Sequence, residues 1–115
     1  MRPIVLLPLA LFVTLPLTVS AQNGSPSVDD RIRSALSAAP ASVAEHATVA
    51  DYDGTVLREG SSDWVCLPDM PDVPNNAPMC LDANWRELID AVQNQREPRY
   101  TGIAISYMLQ GDMPV

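Results

Sequence analysis

The feature that most limits what this chain can fold into is its first 21 residues. Met1 and Arg2 give a cationic start, an apolar run extends from Ile4 to Leu17, and Val19-Ser20-Ala21 places small residues at the positions a signal peptidase reads. The pattern predicts a signal peptide over 1–21, with cleavage after Ala21. The apolar run is 14 residues long and is interrupted by Pro8, Thr14 and Pro16, whereas a spanning helix takes about 20. No later segment reads as a membrane span, and Gln22 rather than Cys follows the cut, which argues against a lipid anchor.

Cleavage leaves 94 of the 115 residues, enough for one small domain. A chain of that size buries little more than ~60% of its extended surface, so its core is thin. The expected organisation is a flexible polar leader over 22–26 and a single α+β domain over 27–115. All 14 acidic residues lie beyond the cut, lysine is absent, and loss of Arg2 takes the formal charge from -7 to -8. Such a surface repels phosphate backbones and anionic headgroups, so neither nucleic acid nor a membrane is an expected partner. The expected location is periplasmic or extracellular.

Export gives the two cysteines a meaning. Cys66 and Cys80 enter an oxidising compartment, where a lone pair predicts a disulfide. A redox pair would favour Cys-x-x-Cys spacing, and a zinc site would need ligands beyond the single His46.

Ser27 and Asp30 have capping spacing, and Val28, Ile32, Ala35, Leu36 and Ala39 form a helical stripe that Pro40 ends. A short helical turn is expected over 41–46. Residues 48–52 and 55–59 then read as strands around Asp53-Gly54, the dipeptide of a two-residue hairpin, and 64–67 as a third strand completing an antiparallel meander. Four prolines and two asparagines exclude regular structure over 68–79. Asp82 is placed to cap a second long helix with the stripe Trp85, Leu88, Ile89 and Val92, stopped by Pro98. Alternation of Ile103, Ile105, Tyr107 and Leu109 predicts a last strand over 100–109. The expected fold is a small antiparallel sheet, hairpin or meander plus C-terminal strand, packed by two helices on one face and held by one disulfide.

One segment carries a chemical alternative. Ala47-Thr48-Val49-Ala50-Asp51-Tyr52-Asp53-Gly54-Thr55-Val56-Leu57 resembles the first motif of haloacid-dehalogenase-like phosphatases. The resemblance implies Asp51 as phosphoryl-accepting nucleophile, Asp53 as general acid and magnesium between carboxylate and phosphate. The family's phosphate-holding lysine and late acidic pair have no counterpart here, and 94 residues are too few for its doubly wound sheet. The hairpin turn is therefore the preferred assignment for Asp53-Gly54, and no cofactor is expected.

A wider resemblance runs from Ala38 to Gly111. Ala47-Thr48-Val49, Asp53-Gly54, Leu57-Arg58-Glu59-Gly60, Trp64-x-Cys66-Leu67-Pro68-Asp69, Pro78-Met79-Cys80 and Tyr107-Met108-Leu109-Gln110-Gly111 resemble a group of small exported bacterial proteins of unknown function. Members of that group continue past the last stretch, so the resemblance implies either a shortened member or a fragment of a longer protein. The resemblance implies export and a shared fold and transfers no site.

The sequence thus points to a noncatalytic binding module whose partner is an envelope or extracellular protein. Its candidate contact loop, closed by Cys66 and Cys80, carries Pro68, Asp69, Pro71, Asp72, Asn75, Asn76 and Pro78. Asp69, Asp72, Asn75, Asn76 and Asp82 offer oxygen atoms to calcium but follow no recognised loop spacing, so no metal is assigned. His46 has no assignable catalytic partner, and Trp64 and Trp85 are expected in the core rather than in a sugar platform. The alternative is a metal-dependent hydrolase acting through Asp51 and Asp53.

Overall fold

A computed structural model describes residues 2–5, 8–17 and 24–112. The expected cleavage point after Ala21, the start of the leader at Gln22 and the last three residues of the expected domain lie outside that range. No helix among the described residues is long and apolar enough to cross a membrane.

The described residues form three helices, α1 (Val28–Leu36), α2 (Ala41–Ala44) and α3 (Ala83–Gln93), and five short strands. These are β1 (Thr48–Ala50), β2 (Val56–Arg58), β3 (Val65–Leu67), β4 (Met79–Leu81) and β5 (Ser106–Tyr107), in the order β2-β1-β3-β4-β5. The class is α+β, with a mostly antiparallel sheet and one disulfide.

Helix α1 starts as its sequence dictates. Ser27 Oγ accepts the Asp30 amide at 3.1 Å, and Asp30 reaches back to Ser27, closing a capping box. Its buried face is made of small residues: Ala35, Ala38 and Ala39 pack on Ala47, Val49, Cys66 and Cys80, with Ile32 and Leu36 partly buried beside them. Val28, placed by periodicity on that stripe, is 47% exposed.

The expected meander is not formed. Strand β3 pairs with β1 in parallel, on the side away from β2. To get there, residues 59–64 cross the start of β1, where the amides of Ser61 and Ser62 donate to His46 O and Thr48 N donates to Trp64 O. The crossing is backbone against backbone at Gly60: a Cβ there would lie 2.3 Å from Ala47 C and Thr48 N. Arg58 helps fix it, donating to the carbonyls of Ala44 and Ala47 at 2.7 and 2.8 Å.

The hairpin between β1 and β2 exists, but its loop has three residues rather than two. Gly54 has φ 88°, as expected, yet Gln95 is the one non-glycine residue with positive φ among those described. Asp53 therefore cannot supply the second positive φ of a type I′ turn. Instead Gly54 N donates to Asp51 O, Asp51 N donates to Thr55 O, and the register slips between Val49 and Ala50. Residue 57 is the extra one, a bulge on the edge strand.

Strand β4 has no counterpart in the sequence-based expectation. Its residues pair antiparallel with β3, setting Cys66 directly opposite Cys80 with Cα atoms 4.0 Å apart. The disulfide joins two fully buried positions and is itself part of the core.

Asp82 caps α3, accepting Trp85 N at 2.7 Å. The helix ends at Gln93, well before Pro98. Gln95, at φ 52°, turns the chain so that Arg96 N reaches Ala91 O and Gln95 N reaches Val92 O, the two bonds of a Schellman motif. Ala91 is the buried residue of α3, whereas Val92 is 69% exposed. The two long helices lie on opposite faces of the sheet: α1 covers Val49, Cys66 and Cys80, while α3 stands over Ala50, Val65, Leu67, Met79 and Leu81. Alternation along each strand puts these sets on opposite sides, and both are apolar.

The last strand is two residues long rather than ten. Residues 96–105 run back beside α3, held by Glu87 accepting Arg99 N and by Asn84 Nδ2 donating to the carbonyls of Thr101 and Ile103. Trp64 and Tyr107 stack at 5.4 Å between ring centres against the α1 core, in keeping with a packing role for Trp64.

Candidate functional site

The stapled loop is fixed at its ends and open at its tip. Pro68, Ala77 and Pro78 are buried. Asp69 N donates to Ser34 Oγ of α1 at 3.0 Å, and the Asp69 carboxylate accepts Ala77 N across the loop at 2.8 Å. Between these anchors Pro71, Asp72, Pro74, Asn75 and Asn76 face solvent. Asn75 donates to Asp112 O at 3.1 Å, and a Cβ at Gly111 would meet Asn76 O at 2.9 Å, so the far side of the tip leans on the C-terminal segment.

Its near side borders a shallow cleft of about 630 Å³. Pro68, Asp69 and Pro71 form one wall, the hairpin residues Asp51, Tyr52 and Asp53 another, and Arg31 and residues 24–26 close it. Two candidate groups separate in sequence thus meet here. Asp72, Asn75, Asn76 and Pro78 do not line the cleft.

The carboxylates are engaged. Arg31 Nη1 of α1 donates to Asp51 Oδ2 in a partly buried ion pair, while Arg31 Nε is buried without a partner. Asp53 Oδ1 accepts Thr55 N at 2.9 Å, and that bond, the first of several, lowers its pKa below the usual carboxylate value. Burial, with the charge of Asp69 second, raises the pKa of the Tyr52 hydroxyl. The nucleophile and acid of the phosphatase motif therefore serve here as an ion-pair partner and a turn cap. The oxygen-bearing residues considered for calcium are not gathered either: Asp69 ties the loop, Asp82 caps α3 and Asn75 turns to Asp112. No group of three His, Cys, Asp or Glu side chains suited to a metal ion occurs among the described residues. His46 is exposed, its Nδ1 3.4 Å from Ser61 Oγ.

Across the hairpin loop lies a second cleft, about 470 Å³, floored by the apolar face under α3 and edged by Arg86, Asp90 and Gln93. Asp51 and Tyr52 border both clefts, and Tyr52 stands half-exposed on the ridge between them. Neither Tyr52 nor Arg31 is marked by sequence reasoning. A tyrosine between two turn aspartates is the available signal for the first; the 20-residue separation of Arg31 from Asp51 hides the second. Comparisons with protein-family models, curated proteins and solved structures found no match to this chain.

Proposed function

We propose that this chain is an exported, noncatalytic binding module that meets an envelope or extracellular protein through the tip of the stapled loop and the adjoining cleft. The observation that carries the proposal is the contrast between fixed ends and exposed tip: the disulfide, Ser34, Asp69 and Ala77 hold a proline-bearing loop open to solvent. A preorganised loop loses little entropy on contact, which favours binding over chemistry. With Asp51 already paired to Arg31, Asp53 and Asp69 beside Tyr52 leave the cleft with a net negative charge suited to a partner presenting a basic side chain next to an aromatic contact.

The test is crosslinking in the envelope of the producing cell, with Pro71, Asp72, Pro74 and Asn75 replaced by Gly or Ser and the buried anchors kept. Loss of a crosslinked partner at unchanged protein level supports the proposal; the same partners at the same yield would sink it. Mass measurement of the exported protein tests its location and processing, with a chain starting at Gln22 and two hydrogens short of the dithiol as the expected result.

A further inference from the structure

Helices α1 and α3 do not cover their faces of the sheet equally. On the α1 face Val49, Cys66 and Cys80 are fully buried, whereas on the α3 face Val65, Leu67 and Met79, which also lie on inner strands, stay half-buried. The cause is placement: α1 packs on all of β1 to β4, and α3 chiefly on β4. What α3 leaves uncovered is the cleft of about 470 Å³ between the helix and the hairpin, a size common among small-molecule sites.

One wall of this cleft is the α3 stripe Arg86, Ile89, Asp90 and Gln93, which shares a helical face by its spacing. The charges on its rim differ in what they are free to do. Asp90 is engaged by Arg96 and Asn94, and Asp51, on the hairpin side, by Arg31. Arg86 has no carboxylate partner among the described residues. Its Nη2 donates to Asp63 O at 2.8 Å, which anchors an exposed guanidinium and leaves its other donors to solvent. The uncompensated charge on this rim is therefore positive, in a chain of net charge -7.

We propose that the cleft binds an ionised carboxylic acid with an apolar body, its hydrocarbon on Val65, Leu67, Met79 and Ile89 and its carboxylate on Arg86. Hydrocarbon laid on half-buried aliphatic side chains takes apolar surface of both partners out of water. A planar guanidinium with free donors matches a carboxylate in geometry as well as charge. An apolar floor beside a single unpaired cation selects an amphiphilic anion over a wholly apolar or wholly polar ligand. The site is distinct from the one nominated at the stapled loop: Asp51 and Tyr52 border both clefts, but Arg86 and Ile89 line this one alone.

A protein-observed NMR titration with octanoate, and with octanol as the uncharged probe, tests it on the protein recovered after export from an expressing bacterial host. The expected result is one saturable site, with shifts at Val65, Leu67, Met79 and Ile89, and binding of octanol weaker by about tenfold for want of the charged contact. Arg86→Gln should bring octanoate down to the level of octanol and leave octanol unchanged, while Ile89→Trp fills the cleft and removes both. Circular dichroism checks that each variant folds; if Ile89→Trp does not, Arg86→Gln decides, since its side chain is exposed. Absence of saturable shifts at these residues, equal affinity for the two probes, or a folded Arg86→Gln that binds octanoate as tightly as the parent overturns the proposal. So does a two-chain mass in which a second copy already covers the cleft. Neither the loop tip nor its partner enters this titration, so the two readings fail separately.

Discussion

Arg31 on the first helix donates to the carboxylate of Asp51 at the end of the first strand, so that the acid of the Asp-x-Asp motif is neutralised by a cation 20 residues earlier. The pair is partly buried, with side chains 32% and 19% exposed. Replacement of Asp51 by Asn is expected to cost about 1–2 kcal/mol, allowing for screening at the exposed side. A double-mutant cycle with Arg31→Met should give a coupling of about 1 kcal/mol in urea unfolding. A phosphatase nucleophile would instead betray itself as magnesium-dependent hydrolysis abolished by Asp51→Asn.

Cys66 and Cys80 face each other across β3 and β4, 14 residues apart in sequence. Reduction frees the loop in the unfolded chain and opens the centre of a thin core. Loss of about 3 kcal/mol is expected, read as a lower urea midpoint with reductant, and reproduced by the Cys66→Ser, Cys80→Ser double variant.

Gly60 lies against the backbone of Ala47 and Thr48 with no room for a methyl group. Gly60→Ala must push the crossover off β1 and weaken the β1–β3 pairing. The expected cost is about 2–4 kcal/mol, measured by thermal melting, with Gly24→Ala, where space is open, as the neutral control.

Gln95 holds a left-handed conformation at the end of α3. Glycine adopts it without the Cβ penalty, so Gln95→Gly should stabilise the protein by about 0.5–1 kcal/mol and raise its Tm.

Glu87 is held well below the usual carboxylate range, at about 2, chiefly by its hydrogen bonds from Arg96, then by the amide of Arg99. A carboxyl with a lowered folded-state pKa binds its proton more readily when unfolded. Its contribution is complete above about 4.5 and is lost as pH falls toward 2. Glu87→Gln should flatten the fall in stability over that window in acid titrations monitored by circular dichroism.

Local signals were legible in the sequence. The capping box of Ser27 and Asp30, the Asp82 cap, the irregular proline loop, the positive φ of Gly54 and the cysteine pair each depend on residues close in the chain or, for the cysteines, on there being only two. The candidate site was half legible: the loop carrying Pro68, Asp69 and Pro71 could be nominated, but its meeting with Tyr52 and Arg31 could not. Periodicity also misjudged the core. Val28, Val92, Ile103 and Leu109 sit on apolar patterns yet are exposed, while Ala35, Ala38 and Ala47 are fully buried.

By itself the sequence determined where helices and turns begin, which cysteines meet and how thin the core must be, because these follow from propensity, capping and composition. Tertiary structure alone decided that β3 crosses to pair in parallel with β1, that α1 and α3 take opposite faces, and that Asp51 answers to Arg31. Those choices rest on close approach between distant segments, and the space at Gly60 that allows it exists only in the folded chain.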